Sequence, residues 1–201
     1  MKLLVAMPSL NQGRFIEAAI VSVARQLEPS DEFVIVDGGS SDNTPDVLER
    51  YSGVVTAVHV FPGQGQAAAI RWAFDHYDSD ICCYLNTDDV LFDGAVQKVK
   101  ALFRAQPRLS MIYSDRVFVN SNGVVTGLWR LPPHSSYLMS RWDYIPQETA
   151  FWRHPSMNRA GGIDADLRFA IDYDLFLGIM AQGGIRHVRD HFGAFNPRRS
   201  V

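Results

Sequence analysis

Four times in its first half the chain repeats one pattern: a short apolar run, an abrupt polar or glycine-rich turn, and a stretch with helical spacing. The runs are 2–7, 33–36, 54–61 and 81–85. Helical spacing follows over 14–27, 44–51, 66–77 and 93–105, the first carried by Phe15, Ala18, Ala19, Val23 and Leu27. Thr44 and Pro45 are suited to open the second helix. Four strand-helix units in about 105 residues predict a parallel sheet with right-handed crossovers. Continuous runs such as Ile81-Cys82-Cys83-Tyr84-Leu85 predict strands buried on both faces. Ligands of open α/β sheets bind beyond the carboxyl ends of the strands, so the turns are where chemistry is expected.

The turn after the fourth run is the most distinctive. Asn86-Thr87-Asp88-Asp89 sets two adjacent carboxylates at a strand tip. Neighbouring carboxylates repel, which points to a divalent cation or fixed donors nearby. A small set of hard oxygen ligands suits Mg²⁺ or Mn²⁺ completed by substrate phosphates. Capping of the next helix is the competing account. Asp37-Gly38-Gly39-Ser40 gives the second strand a similar polar tip, and Pro8, Ser9 and Asn11 close the first.

After Pro107 the style becomes α+β. Strands are predicted over 111–113, 116–120 and 124–129 with a hairpin at Asn122-Gly123. An irregular aromatic segment lies between Pro132-Pro133 and Gly161-Gly162. A helix is predicted over 172–182, opened by Asp172-Tyr173-Asp174 and stopped by Gly183-Gly184. At 201 residues, with 47% hydrophobic and 20% charged content, one domain is expected, divided into lobes 1–106 and 107–201.

Net charge is −3, from 7 Lys/Arg against 14 Asp/Glu in residues 1–100 and 12 against 8 in 101–201. That balance excludes a nucleic-acid surface, while the basic second half could face an anionic ligand. No apolar run is long enough to cross a bilayer and no cleavable leader is visible, so the expected setting is cytoplasmic, extending to the inner face of the membrane. Adjacent Cys82 and Cys83 read as core residues pointing to opposite faces. Gly63-Gln64-Gly65-Gln66-Ala67-Ala68 fits G-x-G-x-x-A, yet it follows the third strand and has no hydride chemistry beside it. The histidines lack metal-ligand spacing and no nucleophile elbow occurs.

Together these segments resemble the family 2 glycosyltransferases, inverting enzymes of the GT-A fold. The resemblance rests on Pro8-Ser9-Leu10-Asn11, Val36 to Asp42, Gly65-Gln66 through Arg71, Leu85 to Asp89, Pro146-Gln147-Glu148, Gly161 to Asp164 and Asp172 to Leu177. It implies a Rossmann-like, mostly parallel sheet flanked by helices, with a smaller α+β acceptor-side lobe. It further implies transfer of a hexose from a UDP- or GDP-type sugar to a saccharide or lipid-linked acceptor hydroxyl, in polysaccharide or glycoconjugate synthesis. By position, Pro8 and Asn11 would line the nucleoside pocket and Asp37 would accept a hydrogen bond from base or ribose. Gly65 and Arg71 would face the donor, Asp88 the ribose or metal, and Asp89 would be the principal ligand of Mg²⁺ or Mn²⁺. Gln147 and Glu148 would face the acceptor, and Asp172 would be the general base.

Four positions depart from the family's habit. Leu10 replaces an aromatic residue, Ile171 a glutamate and Arg71 an asparagine. Arg198 lies near the usual place of a C-terminal metal-binding histidine, which points to a weaker metal site or to arginine carrying part of the cation's role. The chain is also expected to stop soon after the catalytic core. Apolar Phe169-Ala170-Ile171 should raise the pKa of Asp172 while the helix N-terminus lowers it. Two other classes compete: a nucleotidyltransferase, against which the 8–13 turn offers one glycine and no lysine, and a catalytically silent nucleotide-sugar-binding module.

Overall fold

In a computed structural model, residues 1–120 and 122–196 are described. The first half alternates as expected: β1 (Leu3–Ser9), α1 (Ile16–Ala24), β2 (Glu32–Asp37), α2 (Thr44–Arg50), β3 (Ala57–Val60), α3 (Gly65–His76) and β4 (Ile81–Tyr84). Then follow β5 (Val90–Leu91), α4 (Ala95–Ala105), β6 (Leu109–Val119), β7 (Val125–Trp129), α5 (Ser136–Met139), a 3₁₀ turn (Gln147–Thr149), β8 (Phe151–Arg153), α6 (His154–Arg159), α7 (Ile171–Met180) and β9 (Gly184–Phe195).

Among the described residues nine strands join one sheet, in the order β3-β2-β1-β4-β8-β6-β9-β5, with β7 beside β6. β1 pairs parallel with β2 on one side and β4 on the other, and β2 with β3. Because successive crossovers run outward from β1 and then return past it, a crevice opens at the tips of β1, β2 and β4. Every residue of β4 is buried, Cys82 and Cys83 included as free thiols, as expected of a strand covered on both faces.

The second half joins through β8, a three-residue strand that pairs antiparallel with both β4 and β6. Its Trp152 is fully buried, edge-on to Phe74, Tyr84 and Phe176. Truncating such a side chain costs about 3–5 kcal/mol. The principal core accordingly runs from Leu3 to Phe192 and draws on both halves. Under α4, fully buried Lys100 binds Glu28 and Asp31 at 2.8 and 2.7 Å, and Asp31 also accepts from the N–H of Leu3. The cation is met by three oxygens of these two carboxylates, as a buried charge requires.

Several expectations need correction. The strands predicted at 111–113 and 116–120 are one, β6, because Ser114 and Asp115 are satisfied inside it. The Ser114 hydroxyl donates to the Asp115 carbonyl and accepts from Phe192 N–H, and Asp115 accepts from Leu131 N–H and pairs with His187 at 2.7 Å. β3 is shorter than the apolar run 54–61, since Val54 lies in a turn and is half exposed. β9, with no counterpart in the predicted pattern, pairs parallel with β6 and antiparallel with β5. Its charged residues hide it from a hydrophobicity pattern. The hairpin turn at Asn122-Gly123 forms, with Gly123 at φ 75°. Among the described residues no helix is long and apolar enough to cross a membrane.

Candidate active site

Two adjoining cavities open at the strand tips. The first is a cleft of about 510 Å³ whose lining includes Pro8, Ser9 and Leu10 from the end of β1, Gly38 after β2, Gly63, Gly65 and Gln66 at the start of α3, and Asn86, Thr87 and Asp88 after β4. The second is a hollow of about 300 Å³ whose lining includes Gln66, Asn86, Asp89, Arg116, Gln147, Glu148, Phe169 and Asp172. Both are of ligand-binding size.

The seam between them is a chain of amide side chains. Gln66 Nε2 donates to Asn86 Oδ1 at 2.8 Å, Asn86 Nδ2 to Gln147 Oε1 at 3.3 Å, and Gln147 Nε2 to the Tyr84 carbonyl at 2.6 Å. The strand tip is thereby tied to the start of α3 and to the 3₁₀ turn. Gly65 has φ 82°, a conformation that favours glycine, and no side chain caps the first turn of α3, whose Gly65 and Gln66 line the cleft.

Adjacent in sequence, Asp88 and Asp89 part in space: Asp88 lines the cleft, whereas Asp89, 1% exposed, lines the hollow. Among the described residues no three His, Cys, Asp or Glu side chains gather as a ready-made metal cage. Two carboxylates fit a hard divalent cation only when phosphate and water oxygens complete its shell, which is how Mg²⁺ is commonly held.

Across the hollow, Arg116 of β6 makes a two-pronged ion pair with Glu148, Nε to Oε1 at 2.8 Å and an Nη to Oε2 at 2.7 Å. Glu148 is buried, and the guanidinium lies 4.6 Å from the Phe195 ring centroid. Asp172, the second residue of α7, sits half-buried opposite, its Oδ1 accepting from Tyr173 N–H at 3.0 Å. Burial raises its pKa, while backbone N–H groups and the Arg116 charge pull the other way. That is the balance expected from its apolar neighbours and helix start. Asp174 is exposed on another face of α7. Near Asp172, Asp143 is exposed, yet desolvation by neighbouring groups and the Asp172 charge push its carboxyl up to about 6.

Seven of the sequence-derived site residues line these cavities: Pro8, Gly65, Asp88, Asp89, Gln147, Glu148 and Asp172. Three line neither. Asn11, at φ 54°, accepts from Ser41 N–H at 2.8 Å and so fastens the β1 loop to the β2 loop. Asp37, 3% exposed, accepts from the N–H groups of Gly39 and Ser40 and from the Ser40 hydroxyl, shaping its own turn. Arg71 pairs with Asp75 at 3.3 Å on the surface of α3. Arg198 lies outside the described residues. Arg116 was not anticipated; a lone arginine in a strand pattern offers no local signal of a partner 32 residues on.

A mostly parallel Rossmann-like sheet with a cleft at its switch point and an α+β extension beyond it is a GT-A-type fold. Staphylococcus aureus TarS, residues 1–349, in complex with UDP-GlcNAc superposes with TM-score 0.81 at 18% identity, covering 100% of this chain and 60% of that one. Mannosyltransferase PcManGT from Pyrobaculum calidifontis, in complex with GDP-Man and Mn²⁺, gives TM-score 0.71 at 18% identity, over 98% and 58% of the two chains.

Residues 4–147 match the model for Glycosyl transferase family 2, and the chain belongs to that family. Chondroitin synthase of Pasteurella multocida is 24% identical over 184 residues, 90% of this chain and 19% of that protein. A PGL/p-HBAD biosynthesis glycosyltransferase of Mycobacterium tuberculosis is 27% identical over 174 residues, 85% of this chain and 66% of the relative. The chain thus spans about a fifth of the length of the first of these relatives.

Proposed function

We propose that this chain is a glycosyltransferase that moves a sugar from a UDP- or GDP-type donor to an acceptor hydroxyl with inversion, in polysaccharide or glycoconjugate synthesis. The observation that carries the reading is the pair of cavities meeting at the Gln66–Asn86–Gln147 seam, with Asp88 and Asp89 on the β4 side and Asp172 on the α7 side. Lobe 1–106 holds the donor and lobe 107–201 the acceptor. Pro8, Leu10 and Gly38 enclose the nucleoside, with an aliphatic contact from Leu10 in place of aromatic stacking. Asn11 and Asp37 set the loops around it, Asp37 reaching base or ribose through its remaining lone pairs. The uncapped start of α3 at Gly65 faces the diphosphate, a favourable place for an anion. Arg71 acts at the margin, through its bond to the Ile163 carbonyl.

Asp89 and Asp88 would hold Mg²⁺ or Mn²⁺, which when bound offsets negative charge on the departing nucleoside diphosphate. Asp172 takes the proton from the acceptor hydroxyl as its oxygen bonds to the anomeric carbon, and the bonding pair of the old bond leaves with the diphosphate. General base action of this kind is worth roughly 10²–10⁴ in rate. Gln147 and Glu148 face the acceptor, Glu148 with its charge balanced by Arg116. The implied setting is cytoplasmic, reaching lipid-linked acceptors at the inner membrane face.

Titration with UDP and GDP, with and without Mn²⁺, followed by assay of UDP- and GDP-sugar hydrolysis, tests the reading. Metal-dependent binding and donor turnover are expected. Binding without turnover would make the chain a nucleotide-sugar-binding module, and no binding would end the proposal.

A further inference from the structure

Of the chain's aromatic side chains, those exposed among the described residues are Tyr137 (65%), Trp142 (65%) and Phe169 (85%). Phe169 lines the hollow. Tyr137 and Trp142 belong to α5 and the turn after it, which the Tyr173 hydroxyl ties to α7 by donating to the Met139 carbonyl at 2.8 Å. Trp142 immediately precedes Asp143, the carboxylate that feels the charge of Asp172. The backbone that carries Tyr137 and Trp142 is held by the Ser135 cap of α5 and by Trp142 N–H donating to the Leu138 carbonyl, and the Arg141 guanidinium lies 4.6 Å from the Tyr137 ring centroid.

We propose that Tyr137, Trp142 and Phe169 form a stacking platform for the neutral saccharide chain of the acceptor, delivering its terminal hydroxyl to Asp172. This inference rests on the transferase reading above. A pyranose ring has an apolar C–H face and a hydroxyl rim. Rigid exposed rings offer apolar area to the face at little entropic cost, and nearby carboxylates accept from the rim. Charge separates this occupant from a membrane. Segments 136–143 and 164–174 carry Asp143, Asp164, Asp166, Asp172 and Asp174 against Arg141 and Arg168 alone, a balance that repels anionic lipid and leaves an uncharged sugar unaffected.

The test follows the indole N–H resonance of Trp142, assigned by its loss in Trp142→Phe. The probes are glucose, galactose, mannose and N-acetylglucosamine, their linear tetramers, and phosphatidylcholine vesicles with and without phosphatidylglycerol. At least one tetramer should shift the resonance at a lower concentration than its monomer, and Phe169→Ala should weaken that tetramer about tenfold. If no saccharide moves the resonance, or if only vesicles do, the platform is refuted. Titration of the wild-type chain with UDP, GDP and Mn²⁺ separates the two readings. Nucleotide binding with an unmoved Trp142 refutes the platform alone. Shifted Trp142 without nucleotide binding refutes the transferase and leaves a saccharide-binding surface.

Discussion

Replacing Arg116 by Met should both loosen the fold and move the pH dependence of transfer. Met keeps much of the packing against Phe195 but removes both charged hydrogen bonds, at 2.8 and 2.7 Å, from a Glu148 whose side chain is 1% exposed. Breaking one partner of such a buried pair typically costs about 3–5 kcal/mol, because the other charge stays buried without compensation. For a domain of this size each kcal/mol lowers Tm by about 2–4 °C, so a fall of roughly 6–20 °C is expected in a calorimetric scan. Adding Glu148→Gln should restore most of the loss, since no lone charge then remains. The same substitution removes the Arg116 charge that holds down the pKa of Asp172, so the acid limb of kcat/KM should move to higher pH. A loss below about 1 kcal/mol, or a double variant whose loss is the sum of the two single losses, would refute the reasoning.

Asp172→Asn keeps shape but cannot take the proton, so donor binding should persist while transfer falls by roughly two orders of magnitude or more; exposed Asp174→Asn should be nearly silent, and the reverse ranking would reassign the base. Asp89→Ala should abolish Mn²⁺-dependent UDP or GDP binding with the circular dichroism spectrum unchanged, and calorimetry showing wild-type affinity would remove Asp89 from the metal role. Asp143 titrates near 6 in the folded chain against an ordinary 3.8, so its ionisation opposes folding above about 6 and this penalty fades as the pH falls toward 3.8. Asp143→Asn should therefore stabilise the chain at pH 7 and not at pH 4; equal stabilisation at both values would count against the raised pKa.

Much of this architecture was legible locally. Each of the first four strands ends in a turn whose proline, glycine or acidic residues are visible within a few positions, and the helix after each of them is read from the sequence, whereas α5 and α6 lie in the segment expected to be irregular. The tips of β1 and β4, with Pro8 and Asp88, and the glycine-rich start of α3 at Gly65 follow from the sequence pattern. The division of the second half does not. β8 has three residues, too few for a periodic signal, and β9 carries the polar runs Arg186-His187 and Arg189-Asp190-His191, with His187 finding Asp115 on a strand 72 positions earlier.

The same boundary runs through the site. Sequence alone determined that two carboxylates end β4 and that a third opens α7, since strand period, turn residues and helix starts act over neighbouring positions. Only the tertiary structure decided that Asp88 and Asp89 face different cavities, that Arg116 neutralises Glu148, that Asn11 ties the β1 loop to the β2 loop and that Asp37 shapes its own turn. These outcomes depend on which strands lie side by side. Strand order is set by burial summed over the whole sheet, and no window of a few residues contains it.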